Sequence, residues 1–294
     1  MPTPIALTRH HGLEALELVA PDGARAVLLL HGAHLTSWIP AGGEEQLYLS
    51  PKSSFATGQA IRGGVPLIFP QFSARGPLMR HGFARTKPWQ LVQAEQGVDD
   101  ALAVLQLTDD AATRMVWPHA FSAELSVRVS GQTLDIELAV ENTGDTPFDF
   151  TAALHTYLRT GALDATSLRG LAGLHYWDQV KNAEQVQRSD LVLPGSPGCE
   201  DLDRIYYQVS QLKEPLQLID ESGTQRRALD LLQQGFDDAV VWNPGAGKCA
   251  QLADMPADGY QQFLCVEAAA IERPVLLQPG EVWSGLQSLR RQGA

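Results

Sequence analysis

Two residues of this sequence combine proton-transfer chemistry with apolar surroundings. His155 lies in the segment 150–159, which reads as a strand, and a histidine near its ordinary pKa of about 6.5 gives or takes a proton at neutral pH. Glu267 follows the apolar run 263–266, where a carboxylate is seldom buried without a partner or a task. The two side chains are therefore candidates for an acid and a base. The structural alternatives are a packed histidine and a glutamate paired with an arginine.

The densest candidate for a binding segment contains IRGGVPLIFPQF at 61–72 and HGFAR at 81–85. Two glycines after Arg62 allow a tight turn or a close approach to a ligand, and Pro66 and Pro70 predict edge or loop structure. No acidic residue occurs from 46 to 94, where the average composition would place about 6. We interpret this gap as a surface that receives an anion, with a neutral run of core strands as the alternative. The interval instead holds six basic residues: Lys52, Arg62, Arg75, Arg80, Arg85 and Lys87.

Motifs for metal, nucleotide or nucleophilic chemistry are absent or weak. His31 and His34 have a metal-ligand spacing, but in a strand they fall on opposite faces, and we find no third ligand. The sequence has no nucleophile elbow, phosphate-binding loop or dinucleotide fingerprint. Asp201 and Asp203 would share one face of a strand, which is weak evidence for a sugar or a metal. We predict no metal site and no cofactor.

Most of the chain has the period-two alternation of half-buried antiparallel strands. Residues 123–129 and 134–141 show it most clearly, and turn residues recur between such runs. Helices are predicted only at 177–188 and, as one short helix, within 249–260. Because no linker or repeat divides the sequence, we predict one all-β domain over residues 1–294, a large antiparallel β-sandwich with few short helices.

Composition argues against several partners and locations. The 22 basic and 34 acidic residues give a net charge of −12, which disfavours nucleic acid and anionic membranes as partners. Cys199, Cys249 and Cys265 are too widely spaced for a disulfide framework or a zinc knuckle. The amino terminus lacks the apolar stretch of a secretory signal, and no membrane span is visible. We predict a cytoplasmic monomer.

Taken together, these segments resemble the aldose 1-epimerase (galactose mutarotase) superfamily, and within it the glucose-6-phosphate 1-epimerase, or hexose-6-phosphate mutarotase, family. The resemblance has two departures, because Ser73 stands where the family usually has glycine and Arg80 where it commonly has glutamine. These departures bear on which phosphosugar is preferred more than on the reaction. The matching segments occur in family order: those at 61–72 and 81–85, then ALHTYL at 153–158, DRIY at 203–206, VVWNPG at 240–245, FLCVEA at 263–268 and LQPGEVW at 277–283.

The resemblance implies a galactose mutarotase-like β-sandwich with an open cleft, and an isomerase that interconverts the α and β anomers of glucose 6-phosphate or a similar phosphosugar by acid–base ring opening. One alternative is an aldose 1-epimerase for unphosphorylated sugars, and another is a non-catalytic carbohydrate-binding or sensor module. A glycosidase or lyase is less favoured, because no paired carboxylates stand at a readable spacing. The resemblance also assigns roles: general acid His155, general base Glu267, sugar contacts His81 and Asp203, and phosphate contacts Arg62 and Arg85.

Overall fold

The computed structural model describes residues 2–193, 201–223 and 226–292. Strands make up 50% of the protein and helices 9%, which confirms the all-β prediction. Many of the strands alternate regularly enough to bury one face and leave the other to solvent.

Short strands follow one another along the described residues, with few helices between them. The first twelve strands are β1 (Thr3–Pro4), β2 (Thr8–His10), β3 (Leu13–Val19), β4 (Arg25–Leu29), β5 (His34–Ile39), β6 (Leu67–Ile68), β7 (Gln90–Gln96), β8 (Ala101–Thr108), β9 (Phe121–Ser130), β10 (Thr133–Asn142), β11 (Phe148–Leu154) and β12 (Tyr157–Arg159). The remaining strands are β13 (Thr166–Arg169), β14 (His175–Asp178), β15 (Ala183–Val186), β16 (Leu191–Val192), β17 (Leu202–Tyr206), β18 (Leu216–Asp220), β19 (Arg227–Gln234), β20 (Asp238–Asn243), β21 (Phe263–Leu277) and β22 (Val282–Arg291). The helices are α1 (Ala111–Val116), α2 (Gly245–Cys249) and the 3₁₀ turns Ala84–Thr86, Leu163–Ala165, Val209–Gln211 and Gly259–Gln262.

These strands form three sheets in which every pairing between strands is antiparallel. The ten-stranded sheet has the order β1-β7-β8-β9-β10-β22-β19-β18-β13-β16. The eight-stranded sheet has the order β15-β14-β17-β20-β21-β11-β6, with β12 also paired to β21, and β2 to β5 form a four-stranded sheet. One hydrophobic core draws on all three sheets, for example Leu28, Ile136 and Val266. The prediction that residues 1–294 form a single domain stays a prediction.

The clearest sequence pattern becomes the hairpin β9–β10. The two strands pair over their full length, from Thr133 opposite Ser130 to Asn142 opposite Phe121. Alternate side chains are buried along both strands, as the period of two predicts. The prolines of the 61–72 segment flank β6, a two-residue edge strand that pairs only with β11, which confirms edge structure there.

Phe69 ties this edge segment to the opposite sheet. Its fully buried ring lies 5.3 Å from the ring of Phe121 and 5.2 Å from that of Phe150, measured between centroids. Aromatic pairs at this spacing bury large apolar areas and favour fixed relative orientations. The backbone on either side of Phe69, which leads to the candidate site, is therefore anchored in the core.

The helix predicted at 177–188 is wrong, because this region forms the hairpin β14–β15. Trp177 pairs with Glu184 across the hairpin. The Asp178 carboxylate accepts hydrogen bonds from the backbone N–H groups of Val180 and Lys181, and Asn182 adopts a left-handed φ of 52°. Such side-chain caps and left-handed asparagines are typical of turns, and they outweigh the weak helical spacing.

The short helix predicted within 249–260 is displaced. Helix α2 ends at Cys249, where the predicted region begins, and a 3₁₀ turn occupies Gly259–Gln262. Cys249 and Cys265 are buried free thiols, whereas Cys199 lies outside the described residues.

Candidate active site

His155 lies in a two-residue break between β11 and β12, rather than within the continuous strand that the sequence predicts. Its backbone N–H donates to the carbonyl of Pro66, and its ring stacks on Tyr157 with centroids 4.8 Å apart and planes 11° apart. Trp242 meets the ring edge-on at 5.7 Å. The imidazole is thus held between two aromatic rings and is only 8% exposed.

Glu267 lies within β21, paired with Val240 of β20, and is 1% exposed. Its one partner within ion-pair distance in the described residues is His155, whose Nδ1 lies 3.3 Å from Oε1, and not an arginine. Its Oε2 has no hydrogen-bond partner within that same part of the chain. A buried carboxylate with an unoccupied oxygen is costly as an ion, so the group is poised to hold or take a proton.

Burial moves the two pKa values in opposite directions. Desolvation raises the pKa of Glu267 well above its ordinary 4.5, and the nearby Asp203 adds to the rise. Desolvation lowers the pKa of His155 well below its ordinary 6.5, and the cationic or basic neighbours His81, Arg62 and Arg85 lower it further. Both shifts favour the uncharged form of each group.

All the site residues predicted from the sequence line one cavity of about 260 Å³. The residues that share it are Arg62, His81, Arg85, His155, Asp203 and Glu267. They come from five separate stretches of sequence. His155, Asp203 and Glu267 lie on or beside strands of the eight-stranded sheet, and Arg62, His81 and Arg85 belong to the segments before and after its edge strand β6. The structure thus places these residues side by side, while their individual roles stay predictions.

His81 is held as a neutral hydrogen-bond donor. Its φ is 68°, and the Ser73 backbone N–H donates to Nδ1 at 3.3 Å, which leaves the ring proton on Nε2. Burial, together with the charges of Arg85 and Arg80, lowers the pKa of His81 to about 3. His81 therefore stays neutral at physiological pH and can donate to a sugar oxygen.

Asp203 lies on β17 and lines the cavity. The Gln179 side chain donates a hydrogen bond to its Oδ1. Burial raises the pKa of Asp203, while the Gln179 hydrogen bond and the charge of Lys248 oppose the rise. Its neighbour Asp201 pairs with Lys248 at 2.9 Å. Asp203 thus lines the cavity itself, whereas Asp201 contacts it only through Lys248.

The two arginines predicted to hold phosphate have different surroundings. Arg62 contacts Asp254 Oδ2 through both Nε and Nη2 at 3.1 Å, and its Nη1 donates to the Tyr157 hydroxyl at 3.1 Å. Arg85 donates from Nη2 to the backbone carbonyl of Arg80 at 3.1 Å. Burial lowers the pKa of Arg85 to about 10, so it remains a cation at neutral pH.

Sequence reasoning missed several residues that line the cavity or contact its lining residues. Trp242 and Tyr157 lie inside segments that carry the family resemblance, so their motifs could have identified them. Gln179 falls in the region wrongly predicted as a helix. Lys248 of the cavity wall and Asp254, the partner of Arg62, gave no signal, because isolated charges in a turn-rich region are ordinary surface residues.

Gln287 of β22 supports the acid and base candidates from the opposite sheet. Its side chain accepts from the Thr156 hydroxyl at 2.5 Å and donates to the Val266 carbonyl at 3.0 Å. Thr156 follows His155, and Val266 precedes Glu267. This one buried amide therefore fixes the backbone beside both groups.

Replacing Gln287 with leucine leaves the Thr156 hydroxyl and the Val266 carbonyl without their partner. We expect a loss of about 1–3 kcal/mol in the free energy of unfolding for buried groups left unsatisfied, measured by urea denaturation. We also expect kcat to fall while KM changes little. The control is Gln93→Leu, which removes an exposed amide of β7. A variant with full kcat at saturating substrate would contradict a positioning role for Gln287.

No helix in the described residues is long and apolar enough to cross a membrane. Within the same residues, no group of three or more histidine, cysteine, aspartate or glutamate side chains is placed to hold a metal ion. His31 and His34 instead bond the backbone carbonyls of Gln59 and Gly63.

The sequence pattern of the aldose 1-epimerase family matches residues 14–290. An Escherichia coli (strain K12) protein is 37% identical over 87% of this chain and 84% of its own length, and a Cenchrus ciliaris protein is 32% identical over 97% and 87%. Both carry the name "putative glucose-6-phosphate 1-epimerase".

Solved structures agree with this fold. The crystal structure of a "putative mutarotase" from Salmonella typhimurium is 30% identical, covers 99% of this chain and 94% of its own, and has a TM-score of 0.87. A galactose mutarotase related enzyme from Lactobacillus acidophilus is 14% identical, covers 94% of this chain and 97% of its own, and has a TM-score of 0.70. The predicted galactose mutarotase-like sandwich is confirmed.

Proposed function

Because the chain belongs to the aldose 1-epimerase family, we propose that it interconverts the α and β anomers of glucose 6-phosphate or a similar hexose phosphate. The observation that carries this proposal is that His155 and Glu267 meet at one cavity that is also lined by arginines. The names of the relatives from E. coli and C. ciliaris support the phosphosugar. The volume of about 260 Å³ is near the lower end of ligand pockets, roughly 300–1,000 Å³. It suits one sugar unit better than an oligosaccharide.

Anomer exchange requires the hemiacetal ring to open, the C1–C2 bond to rotate and the ring to close. In the opening step Glu267 takes the proton of the anomeric hydroxyl, while His155 gives a proton to the ring oxygen as the C1–O5 bond breaks. Closure on the other face of the aldehyde reverses both transfers, so that the protein is unchanged after each turnover. His81 and Asp203 bind ring oxygens and hydroxyls, since one is a neutral donor and the other an acceptor.

The acid–base pair is competent when it holds one proton between its two groups. With two protons it has no base, and with none it has no acid. The lowered pKa of His155 and the raised pKa of Glu267 keep a single proton on the pair over a wide pH range. The two groups titrate as a unit, because Nδ1 of His155 and Oε1 of Glu267 lie only 3.3 Å apart.

We expect the profile of kcat/KM against pH to be a broad plateau that extends beyond the interval 4.5–6.5 between the ordinary pKa values of the two groups. The measurement uses free glucose, because the phosphate of glucose 6-phosphate itself titrates near pH 6, about the value of other phosphate monoesters. Stopped-flow polarimetry between pH 4 and 9 measures the rates of anomer exchange. A narrow bell confined to 4.5–6.5 would contradict the proposed environment of the pair.

The function itself is tested by magnetisation exchange between anomers in NMR, with glucose 6-phosphate and glucose compared at equal concentration. Faster exchange for the phosphosugar, with the higher kcat/KM, supports the proposal. Equal or better exchange for glucose would favour the epimerase of unphosphorylated sugars. Binding of glucose 6-phosphate without faster exchange would favour the binding or sensor module.

We propose that residues 1–294 act as one domain, that the protein is a cytoplasmic monomer, and that it has no nucleic-acid partner. The acidic net charge of −12 supports the last of these, because non-specific nucleic-acid binding requires a basic surface.

A further inference from the structure

A second cleft, with a volume of about 480 Å³, lies apart from the cavity that holds His155 and Glu267. It is nearly twice the size of that active-site cavity of about 260 Å³, and it falls within the usual range of ligand pockets, roughly 300–1,000 Å³. Among the described residues, none lines both. The lining of the second cleft includes Arg75, Trp177, Glu184, Tyr207, Asp238 and Arg273.

The second cleft lies on the same face of the eight-stranded sheet as Glu267. A row of directly opposed residues runs across the sheet from Glu267 to Trp177, and opposed residues of antiparallel strands project from the same face. The two ends are three strand spacings apart, about 14 Å. Asp238 shares this face, because it precedes a member of the row by two positions. The members of the row between its two ends are Val240 and Ile205.

Asp238 is a buried carboxylate whose hydrogen bonding is incomplete. It is 3% exposed, and its Oδ2 accepts from the backbone N–H groups of Ile271 and Glu272 at 2.8 and 2.7 Å. Within residues 2–193, 201–223 and 226–292, its Oδ1 has no hydrogen-bond partner, although the side chain lines the second cleft. A buried polar atom without a partner is costly, so a ligand that donates to Oδ1 would remove that cost.

Trp177 and Tyr207 give the second cleft two half-buried aromatic side chains. Their backbone is fixed, because Trp177 pairs with both Ile205 and Glu184, and the Tyr207 N–H donates to the His175 carbonyl at 3.1 Å. In the described part of the chain, neither ring stacks on another aromatic ring, and neither the indole N–H nor the phenol hydroxyl has a hydrogen-bond partner. The two side chains therefore offer apolar rings with polar atoms that the protein does not use.

The charges of the second cleft have both signs. Neither Arg75 nor Arg273 has an acidic partner within ion-pair distance among the described residues, and Glu184 pairs with the exposed His175. Guanidinium groups only donate hydrogen bonds, and carboxylates only accept them. A small anion would be repelled by the carboxylates and a small cation by the arginines. A neutral polyhydroxylated ligand uses both kinds of group, because each of its hydroxyls can donate and accept.

From this arrangement we propose that the second cleft binds a neutral saccharide of about two hexose units, whose apolar ring faces stack on Trp177 and Tyr207. Asp238 accepts hydrogen bonds from its hydroxyl groups, and Arg75 and Arg273 donate to them. Two units are inferred because the second cleft has nearly twice the volume of the active-site cavity, which suits one sugar. This binding function is additional to anomer exchange and does not depend on it.

The test measures binding of methyl maltoside, methyl cellobioside and methyl lactoside by saturation-transfer NMR, in the presence of excess glucose 6-phosphate. These probes have no free anomeric hydroxyl, so they cannot undergo anomer exchange, and glucose 6-phosphate competes for the active-site cavity. We expect at least one disaccharide to bind at a single site and to remain bound when glucose 6-phosphate is added. Failure of all three to bind, or their displacement by glucose 6-phosphate, would overturn the proposal.

Variants locate the binding site. We expect Trp177→Leu to weaken disaccharide binding about tenfold, whereas Trp177→Phe, which keeps an aromatic face, weakens it less. Arg273→Gln, at an exposed position of β21, should also weaken it about tenfold. The matched control is Arg169→Gln, which removes a half-exposed arginine of the ten-stranded sheet and should keep the wild-type Kd. Wild-type affinity in both Trp177→Leu and Arg273→Gln would overturn the proposal.

A titration with spermidine tests the choice of a neutral ligand. Tighter binding of spermidine than of all three disaccharides, with loss of spermidine binding in Asp238→Asn, would overturn the saccharide in favour of an organic cation. The result is separate from that for the proposed function. If the wild type fails to speed glucose 6-phosphate exchange, the proposed function fails, whereas disaccharide binding that is weakened in Trp177→Leu still supports the second cleft.

Discussion

Replacing Glu267 with glutamine lowers kcat for anomer exchange by about 10²- to 10⁴-fold, the usual contribution of one positioned proton transfer. Glutamine has the same shape but cannot take the proton of the anomeric hydroxyl, so KM changes little. Burial strengthens the effect, because a carboxylate whose pKa is raised well above 4.5 is a stronger base than one in water. Magnetisation-exchange NMR with glucose 6-phosphate measures the loss.

Glu272→Gln is the matched control, since Glu272 lies on the same strand β21 but is exposed. It should retain wild-type kcat. Full activity of Glu267→Gln would remove the base assignment.

Stability reports whether the Glu267 substitution disturbs the fold. A pKa raised by folding means that the native state holds its proton more tightly than the unfolded chain. This contribution is present below the unfolded pKa and is lost as pH rises through the folded pKa. Because the contribution of Glu267 falls as pH rises above 4.5, we expect urea unfolding to show that the stability of Glu267→Gln relative to the wild type increases with pH above that value.

Replacing His155 with alanine also lowers kcat by about 10²- to 10⁴-fold, because the ring oxygen loses its general acid as the ring opens. The substitution leaves a space between Tyr157 and Trp242 the size of the lost ring. We expect added imidazole to enter it and to restore part of the activity in a saturable way, and a series of imidazoles with different pKa values should change the rescued rate in NMR exchange experiments.

His175→Ala serves as the control for His155→Ala, because His175 is an exposed histidine of β14 away from the cavity. It should neither lose activity nor respond to imidazole. In the double variant His155→Ala/Glu267→Gln, we expect a loss close to that of the worse single variant, since acid and base act in one step. Losses that multiply fully would contradict a coupled pair.

The alternating strands could be predicted from the sequence because their signal is local. In β9 and β10 the apolar or polar type of each residue indicates whether its side chain faces the core or the solvent. The period of two then leaves one register that buries every apolar side chain. The same criterion gave a wrong prediction for residues Trp177 to Arg188, because their few apolar side chains define neither a helical face nor a strand face. There the Asp178 cap and the left-handed Asn182 decide the hairpin, and both act through turn geometry that periodicity does not detect.

The types of the site residues could also be read from the sequence, because an ionisable group in an apolar run stands out wherever it lies. His155 and Glu267 were identified in this way, and the gap in acidic residues from 46 to 94 indicated where positive charge would gather. These are statements about single segments, and they required no knowledge of how the segments meet.

Only the tertiary structure decided which side chains pair with one another and how close the candidate acid lies to the candidate base. Arg62 and Asp254 are separated by 192 positions in sequence, and Thr156 and Gln287 by 131, so that no local pattern could pair them. The 3.3 Å contact between His155 and Glu267 and the burial that shifts their pKa values likewise arise when β21 packs beside the break after β11. The sequence determined the strands and the chemistry of the side chains. The fold determined their electrostatics, because desolvation and Coulomb interactions depend on distance in space and not on distance along the chain.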